Sequence, residues 1–499
     1  MTTKRKRPNI VFILAESMDG RKMGCMHHPA MQRATPNLDR LAADGALFTD
    51  AYTTFPVCNP ARASMWTGKY PHHYDCWNNH EGIEKDVPTF RDTFEHAGYR
   101  TAALGPLDYA HGMHSIRDRV GSWTRSACIR RPLCRTPLPQ VVADGSAHNG
   151  DRELTEKAVA WLNERAAEDE PFMLYLTTPL VHPAFVAEQK YMAMIDADQI
   201  DIPPGLQDVD GAGHPVDEYT RITKNCRYAF SERLVREIRH TYFAMIAQLD
   251  ELVGRVLHTL DGLGLAETTY VVFSSDHGEM AGEHNQILKR TMYESSAHIP
   301  LIVRGPDVKA GAIVHTPVSL IDMYPTLLDM AGISYAEHAV QPGCPETLDG
   351  ESLLPVSTGQ SGARRGWAFS EYHADRSCTG TFMLRCAEWK YLKHIGYAPQ
   401  LFDLSSDPEE MEDLASHRPD VVTELDGILT NHFDCEAIDA RAKRYGKDNF
   451  RAWRKEQKAA GTYRDMMARI YSGYDRICIE DIVPWSDEDE AVIAAWLDA

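Results

Sequence analysis

Short apolar runs alternate along this chain with segments whose apolar residues recur at three- and four-residue spacing. The runs are rich in β-branched and aromatic residues, which is typical of strands buried on both faces. Four of them are NIVFILA at 9–15, YRTAAL at 99–104, PFMLYLTT at 171–178 and TTYVVFSS at 268–275. Polar or small residues follow each run, so the pattern predicts strands that end at these points.

Helical patterns fill the intervals between the runs. In TPNLDRLAADG, Thr35 is placed as the N-cap, Pro36 takes the first helical position and Gly45 ends the helix. Helical spacing also covers 154–167 and 236–264. The alternation predicts an α/β fold with a doubly wound, mostly parallel sheet flanked by helices. Ligands bind such sheets beyond the carboxyl ends of the strands, so the residues after each run are candidates for chemistry.

The pattern changes after residue 365, which predicts a domain boundary. We predict a catalytic domain over 1–365 and a smaller C-terminal α+β subdomain with a small antiparallel sheet over 366–430. In this subdomain TFMLRCAEWKYLKHI is typical of two short strands, and QLFDLSSDPEEMEDLA of a strand, a turn and a helix. The charged tail over 431–499 is predicted to be a helical extension packed on the body, with contacts in a homo-oligomer as the alternative.

Composition narrows the class of protein. Apolar residues make up 43% of the 499 and charged residues 25%, which is ordinary for a soluble globular protein. No stretch approaches the ~20 apolar residues of a membrane span. The net charge of −20 disfavours nucleic acid or an anionic membrane as a partner. An anionic substrate would therefore need a local cationic site.

The start of the chain and the cysteines bear on the compartment. The first apolar run is followed by Glu16, Asp19 and Arg21 rather than by the small residues of a secretory cleavage site. The eleven cysteines are odd in number and form no C-x-x-C pair. These features favour a reducing compartment, a cytoplasmic location and mostly free, buried thiols.

Polar residues that follow two of the runs form a candidate metal site. Glu16 follows the first strand, and Asp276 and His277 follow the strand at 268–275. In a parallel sheet all three project into one crevice, where two carboxylates and an imidazole suit a single divalent cation. Taken singly, Glu16 is more often a helix cap or a surface acid, and the DHG tripeptide is more often a turn.

His182 and Lys289 are weaker candidates when each is taken alone. His182, in LVHPAF, also follows a predicted strand, but a lone histidine is usually structural. Lys289, in NQILKRTMYE, has the sequence context of a surface lysine.

The segment PVCNPARASMWTG at 56–68 combines a cysteine with the start of a helix. Pro60 fits the first turn, so Cys58 lies near the positive end of the helix, where backbone N–H groups bind anions. Arg62 adds a fork-shaped cation that suits a tetrahedral oxyanion. The pattern predicts a reactive thiol of lowered pKa at an anion pocket, with a buried core thiol as the alternative.

The same segment resembles the C-x-P-x-R signature of the sulfatases, members of the alkaline phosphatase superfamily. Further motifs similar to that family lie on both sides of this segment, in the order typical of the family: NIVFILAESMDG, TPNLDRLAADGALFTDAYT, HAGYRTAALG, SSDHGEMAGEH, SLIDMYPTLLDMAGI and QLFDLSSDPEEMEDLA. MDGR, WNN, LDYAHGMHSI, TKNC and MYESSAH resemble the arylsulfatase K-like branch. The Asp-His pair in SDHGE is similar to that of phosphonate monoester hydrolases.

The resemblance implies a chemistry for Cys58. In this family a formylglycine-generating enzyme oxidises the cysteine to Cα-formylglycine, which hydrates to a geminal diol. One hydroxyl, held by the metal, attacks the sulfur of a sulfate ester and releases the alcohol. The second hydroxyl then loses its proton and expels sulfate, which a plain serine or cysteine could not do.

The resemblance also implies roles for the other candidates. The residues that match metal-ligand positions are Glu16, Asp276 and His277. Cys58, as the nucleophile, would also contact the metal. Those that match positions around the sulfuryl group are Arg62, Asn79, His182 and Lys289. Arg62 would hold the nucleophile and the sulfate, Lys289 would bind sulfate oxygens, and His182 would be the general acid.

This sequence departs from the family pattern at the metal. Glu16 stands where aspartate is usual, and Ser17 replaces the second acid, with Asp19 as the residue that could compensate. His277 makes the ligand set softer than one suited to calcium alone, so Ca²⁺, Mn²⁺ and Zn²⁺ are all candidates.

A second departure lies in the segment after the strand at 99–104. Pro106 replaces a lysine that usually contacts sulfate, and Asp108, a candidate substrate-binding residue, stands where histidine is common. One cationic contact is thus missing, which predicts tolerance of esters of other charge.

We therefore predict a sulfuric ester hydrolase that acts on small anionic aryl or sugar sulfate esters. The alternative is a phosphonate monoester hydrolase or phosphodiesterase of the same fold, or a promiscuous enzyme that does both. A third hypothesis is a non-catalytic binding protein with a relic site, suggested by Glu16 and Pro106.

Overall fold

The computed structural model of the chain describes residues 7–114, 120–127, 129, 138–206, 213–339, 341–360, 364–374, 376–472 and 484–499. The strands are β1 (Asn9–Ala15), β2 (Ala46–Phe48), β3 (Ala51–Tyr52), β4 (Arg100–Leu104), β5 (Gln140–Val142), β6 (Phe172–Thr177), β7 (Val186–Glu188), β8 (Thr269–Ser275), β9 (Leu301–Arg304), β10 (Ala312–Val314), β11 (Val318–Ser319), β12 (Trp367–Tyr372), β13 (Thr381–Cys386), β14 (Trp389–His394) and β15 (Gln400–Asp403). The helices are α1 (Pro36–Ala43), α2 (Cys58–Thr67), α3 (Phe90–His96), α4 (Val120–Trp123), α5 (Asn149–Arg165), α6 (Gln189–Met192), α7 (Pro215–Thr223), α8 (Glu232–Gly262), α9 (Glu294–Ala297), α10 (Met323–Ala331), α11 (Tyr335–His338), α12 (Leu354–Ser357), α13 (Pro419–His432), α14 (Cys435–Ala460), α15 (Tyr463–Ser472) and α16 (Asp487–Asp498).

The central sheet has the strand order β10-β2-β9-β8-β1-β6-β4. Strand β1 is parallel to β6 and β8, and β4 is parallel to β6. Strand β9 is antiparallel to both of its neighbours, β8 and β2. The four apolar runs form β1, β4, β6 and β8, so the predicted doubly wound, mostly parallel sheet is confirmed.

The side chains of β1 show why helices cover both faces of this sheet. Ile10, Phe12 and Leu14 belong to a buried cluster that includes residues of α2, α3 and α10. Val11 and Ile13 point the other way, into a cluster that includes residues of α1, α5 and α8. Full burial of such a side chain is worth about 1.5–3 kcal/mol, and an apolar run without alternation satisfies both layers.

The register of the parallel strands fixes where polar residues converge. Ala15 at the end of β1 pairs with Ser275 at the end of β8, and Leu14 pairs with Thr177 at the end of β6. The residues that follow these strands therefore leave the sheet side by side, at one edge.

The C-terminal sheet is antiparallel, with the order β12-β13-β14-β15. Its core includes Leu425 and Leu429 of α13. The helix predicted within 400–415 is wrong: this segment consists of turns after β15, and α13 begins at Pro419. Glu410 adopts a φ of 54° there, and its carboxylate is buried among polar partners, which a surface helix would not allow.

The tail forms helices α14, α15 and α16. Phe450 of α14 and Trp496 of α16 share a buried cluster with Val120 and Ile129 of the body. Residues 473–483 of the predicted extension lie outside the described residues. The domain boundaries and the proposed oligomer contact stay predictions.

None of the eight described cysteines forms a disulfide with another. The buried ones are Cys58, Cys76, Cys226, Cys378 and Cys435, while Cys25, Cys344 and Cys386 are partly exposed. Most of these thiols are buried, as the sequence predicted. Within the described ranges, no helix combines the length and the apolar character needed to cross a bilayer.

A buried ionic cluster joins the C-terminal sheet to the body. Lys390 of β14 is fully buried, and its Nζ lies 2.7 Å from Glu294 Oε1 in α9 and 2.7 Å from Glu410 Oε1. It also donates a hydrogen bond to the carbonyl of Met292 at 2.8 Å. One cation therefore balances two buried carboxylates at this junction.

We expect Lys390→Met to lower the free energy of unfolding by about 3–5 kcal/mol, because both carboxylates lose their buried cation. Urea denaturation measures the effect. The matched control is Lys393→Met on the same strand: Lys393 lies 2.9 Å from Asp426 but is 21% exposed, so its loss should cost less than ~1 kcal/mol. Equal losses in the two variants would contradict the prediction.

Candidate active site

The candidate site forms where β1, β6, β8 and α2 meet. Glu16 directly follows β1, and Asp276 and His277 directly follow β8. Cys58 is the first residue of α2, after Val57 in extended conformation, so it takes the predicted place at the positive end of a helix.

Cys58 lies between two of the predicted metal ligands. Its Sγ is 3.3 Å from Glu16 Oε1 and 3.3 Å from His277 Nε2. Cys58 and His277 are fully buried and Glu16 is nearly so. Residues hundreds of positions apart in the chain are thus brought together around residue 58.

Arg62 lies one helical turn beyond Cys58, on the same face of α2. Its Nε donates to Asp276 Oδ2 at 2.9 Å, and one terminal nitrogen lies 3.4 Å from Glu16 Oε2. Its Nη1 donates to Thr177 Oγ1 at 3.2 Å and to the carbonyl of Pro106. The guanidinium therefore links the ends of β1, β6 and β8.

Lys289 and His182 form the more open side of the site. Lys289 Nζ lies 2.5 Å from His182 Nε2 and 3.5 Å from Ser17 Oγ. His182 Nε2 is also 3.9 Å from Glu16 Oε1. The His182 side chain is 34% exposed whereas Lys289 is buried, so substrate would enter past the imidazole.

Asn79 and Asp108 lie at the margin of this cluster. Asn79 Oδ1 accepts a hydrogen bond from the backbone N–H of Asn59 at 2.9 Å, in the first turn of α2. Burial raises the pKa of Asp108 to about 6, and the charge of Arg62 acts against that shift. Asn79 thus reaches the site through the helix that carries Cys58.

Two residues near the site were missed from the sequence. His114 Nε2 lies 3.2 Å from Asn79 Nδ2, and its motif LDYAHGMHSI was noted without a role for the histidine. Asp151 in α5 accepts a hydrogen bond from the N–H of Leu180 at 3.1 Å and so supports the loop that carries His182. No sequence signal marks Asp151, which lies in the first turn of α5, before the helical pattern at 154–167.

The predicted lowering of the Cys58 pKa is wrong. Burial raises the pKa of this thiol, and the carboxylates of Glu16 and Asp276 add to the rise. Lys289 and Arg62 act in the opposite direction but do not outweigh burial. The helix start is as expected; desolvation, which the sequence does not show, decides the sign.

Two of the three proposed ligands, Asp276 and His277, titrate as a metal site requires, whereas burial raises the pKa of the third, Glu16. Burial opposes ionisation of Asp276, but His277, Arg62 and Lys289 together lower its pKa to about 2. Burial, assisted by Lys289, lowers the pKa of His277 to about 3, so the imidazole is neutral and able to ligate.

The donor set fits one divalent cation. Ligand atoms of Cys58, Asp276 and His277 lie within 4.8 Å of one another, and so do those of Glu16, Cys58 and His182. Carboxylate oxygens and an imidazole are suitable ligands for Mn²⁺ or Zn²⁺, and the carboxylates also for Ca²⁺.

Asp19 does not extend this donor set. Its carboxylate pairs with Arg21 at 2.7 Å, away from the cluster. At Ser17 the backbone has a φ of 65°, and its N–H donates to Asp276 Oδ1 at 3.1 Å. The expected second acid therefore has no substitute at this position.

Comparison with known proteins agrees with the geometry. The sulfatase family model matches residues 8–333, and the model of the C-terminal region of N-sulphoglucosamine sulphohydrolase matches residues 282–432. Arylsulfatase K of Danio rerio is 36% identical over 494 residues, covering 94% of this chain and 91% of the relative.

Solved structures share the fold. The phosphonate monoester hydrolase of Agrobacterium radiobacter superimposes with a TM-score of 0.70 at 25% identity, covering 85% of this chain and 95% of that chain. A protein solved with its substrate D-glucosamine-2-N,6-O-disulfate gives a TM-score of 0.67 at 22% identity, covering 86% and 97%. At that identity the second likeness bears on the fold alone.

The motifs read from the sequence, the sheet and the relatives agree on one assignment, and the resemblance stated from the sequence is confirmed. The family model spans more than half of the chain, and the match to Arylsulfatase K runs nearly end to end. The chain belongs to the sulfatase family, hydrolases that act on sulfate esters.

Proposed function

We propose that this enzyme cleaves aryl or sugar sulfate esters through residue 58 in its formylglycine form, beside one divalent cation held by Glu16, Asp276 and His277. The observation that carries the proposal is the place of Cys58, whose Sγ lies 3.3 Å from both Glu16 and His277 at the start of α2. A formylglycine-generating enzyme would act on the C-x-P-x-R segment during maturation.

Converted in this way, residue 58 supplies a hydrated aldehyde as the nucleophile, and a bound cation supplies positive charge that favours its ionised form. The remaining chemistry belongs to side chains of the chain. Arg62 is held by Asp276 and Thr177 one helical turn from residue 58, so its guanidinium is placed to bind the nucleophile and the sulfuryl oxygens.

Lys289 and the start of α2 complete the anion site. The buried ammonium of Lys289 binds a sulfuryl oxygen, and the first backbone N–H groups of α2 contribute their partial positive charge. Because these donors are fixed before substrate arrives, they stabilise charge that develops during transfer. Because the chain carries a net charge of −20, an anionic substrate needs a local cationic site, and these donors supply one.

Mass spectrometry of the peptide that contains residue 58 tests the proposal. Active enzyme should carry oxygen in place of the cysteine sulfur, with the loss of two hydrogens. Removal of divalent cations with a chelator should abolish turnover, and addition of one of the three candidate metals should restore it. An active enzyme with an unmodified thiol would contradict the mechanism.

We assign to His182 the relay of a proton to the leaving oxygen on the open side of the site. Its Nδ1 donates to the Pro183 carbonyl, so Nε2 accepts from Lys289 Nζ at 2.5 Å and can pass that proton on. Burial and the charge of Lys289 lower the pKa of the imidazole to about 3, so the proton has to come from Lys289. His182→Ala should lower kcat by ~10²–10⁴-fold for alkyl sulfates but much less for nitrophenyl sulfate, whose leaving group needs little protonation. A leaving-group series measures the contrast. The control is His258→Ala, an exposed histidine on α8; equal losses across the series would remove His182 as the acid.

A phosphonate monoester or phosphodiester substrate is the second candidate. It is favoured by the likeness to the Agrobacterium radiobacter phosphonate monoester hydrolase and by Pro106, whose carbonyl contacts Arg62 where the family has a lysine. Comparison of kcat/KM for matched sulfate and phosphonate esters decides the order of preference. Activity on both at similar kcat/KM would support a promiscuous enzyme.

A further inference from the structure

The segment 276–289 carries the candidate metal ligands at one end and Lys289 at the other, with little regular structure between them. The backbone has positive φ at Ala281 (43°), His284 (50°) and Leu288 (63°). Side-chain-bearing residues in this conformation are strained by about 1–3 kcal/mol each and persist where surrounding contacts enforce them. The position of Lys289 therefore depends on what holds Leu288.

Glu279 is the side chain that holds Leu288. Its Oε1 accepts hydrogen bonds from the N–H of Leu288 at 2.5 Å and from the N–H of Ala281 at 3.3 Å. The carbonyl of Leu288 accepts in turn from the N–H of Met280 at 3.0 Å. Both backbone polar groups of the residue before Lys289 are thus fixed by the start of the same segment.

Stability alone does not explain an acid at this position. Glu279 is 1% exposed, and its Oε2 is buried without a hydrogen-bond partner among the described residues. The positive side chains that act most on its carboxylate are Lys289 and Lys224. A buried carboxylate with one unpartnered oxygen is costly, and an apolar or fully bonded side chain would be more stable there.

We propose that Glu279 is a positioning residue for Lys289. By holding the N–H of Leu288, it keeps the Lys289 ammonium between His182 Nε2 and Ser17 Oγ, the place where the sulfuryl group is to be bound. The inference rests on the proposed function, because it presumes that Lys289 acts on the substrate.

Two variants separate position from charge. Glu279→Gln keeps an oxygen that accepts from Leu288 but removes the charge, while Glu279→Asp keeps the charge but is one methylene too short to reach. We expect kcat/KM for nitrophenyl sulfate to fall by ~10²-fold in Glu279→Asp and by no more than about threefold in Glu279→Gln, since a misplacement of about 1 Å costs that much. The reverse order would overturn the proposal. If Glu279→Asp does not fold, Glu279→Gln decides alone, and a ~10²-fold loss there overturns it.

A double-mutant cycle with Lys289→Met adds a readout that a merely structural role would not move. If Glu279 acts through Lys289, Glu279→Asp should cost almost nothing further in the Lys289→Met background. Losses that multiply independently would overturn the inference. If Lys289→Met alone retains full activity, the proposed role of Lys289 fails. If Lys289→Met is impaired but Glu279→Asp is not, only the inference about Glu279 fails.

Discussion

Replacement of Cys58 by alanine is expected to abolish sulfate-ester hydrolysis, with kcat lower by about 10⁴-fold or more, because the nucleophile is lost while the binding groups remain. Cys58 is the first residue of α2 and is fully buried, so the change removes one sulfur without exposing new surface. Turnover of nitrophenyl sulfate by purified, metal-loaded protein measures the loss.

The matched control for this variant is Cys435→Ala. Cys435 is also the first residue of a long helix and is buried, but it packs in the core of the C-terminal sheet. Its replacement should leave kcat unchanged. Full activity in Cys58→Ala would show that residue 58 is not the nucleophile, whereas equal loss in both variants would point to general unfolding.

The central sheet was predictable because its strands are buried on both faces. NIVFILA coincides with β1, and its uniform apolar pattern is what two helical layers require. Once the strands were taken as parallel, Glu16 and Asp276 had to leave the sheet at the same edge. The meeting of distant residues thus followed from topology rather than from any one motif.

The electrostatics of the site could not be predicted in the same way. The start of α2 suggested a lowered pKa for Cys58, but burial beside two carboxylates raises it. Desolvation depends on every segment packed around the thiol, and no local pattern of residues reports it. The role of Asp151 could not be predicted for a similar reason. This residue supports the loop of His182 from the first turn of α5, through a tertiary contact that no local pattern shows.

The helix prediction within 400–415 was wrong for a different reason. A strand, a turn and a helix were predicted there, yet Glu410 turns inward to share Lys390 with Glu294. The tertiary ion pair between Glu410 and buried Lys390 outweighs the local helix propensity of this segment, because a buried lysine without an anionic partner is strongly destabilising. A buried ion pair of this kind produces no periodic pattern of residues, so the sequence does not predict it.

Arg62 shows how the site tolerates Pro106 in place of a lysine. Gly105 has a φ of 101°, and a Cβ there would lie 1.9 Å from the carbonyl oxygen of Thr177. This close approach brings the Pro106 carbonyl to Arg62 Nη1. Where the resemblance predicts a lysine, the Pro106 carbonyl instead contacts Arg62, and Asp276 is the carboxylate that acts most on the guanidinium.

Asp276→Asn should therefore have the second large effect. It removes a candidate metal ligand and the carboxylate that lies 2.9 Å from Arg62 Nε, both fully buried. We expect kcat to fall by ~10³-fold or more as metal is lost. The free energy of unfolding should fall by about 3–5 kcal/mol, because buried Arg62 loses its closest carboxylate and keeps only Glu16, at 3.4 Å. Metal analysis, nitrophenyl sulfate turnover and urea denaturation measure the three consequences.

Asp439→Asn separates the catalytic loss from the loss of stability. Asp439 is buried, accepts a hydrogen bond from the N–H of Gly380 at 2.8 Å and pairs with Lys443 at 2.6 Å, outside the candidate site. Its replacement should lower stability yet leave metal content and kcat unchanged. Asp276→Asn that keeps its metal and its turnover would refute the proposed ligand set, because a buried carboxylate beside residue 58 would then have only a structural part in the enzyme.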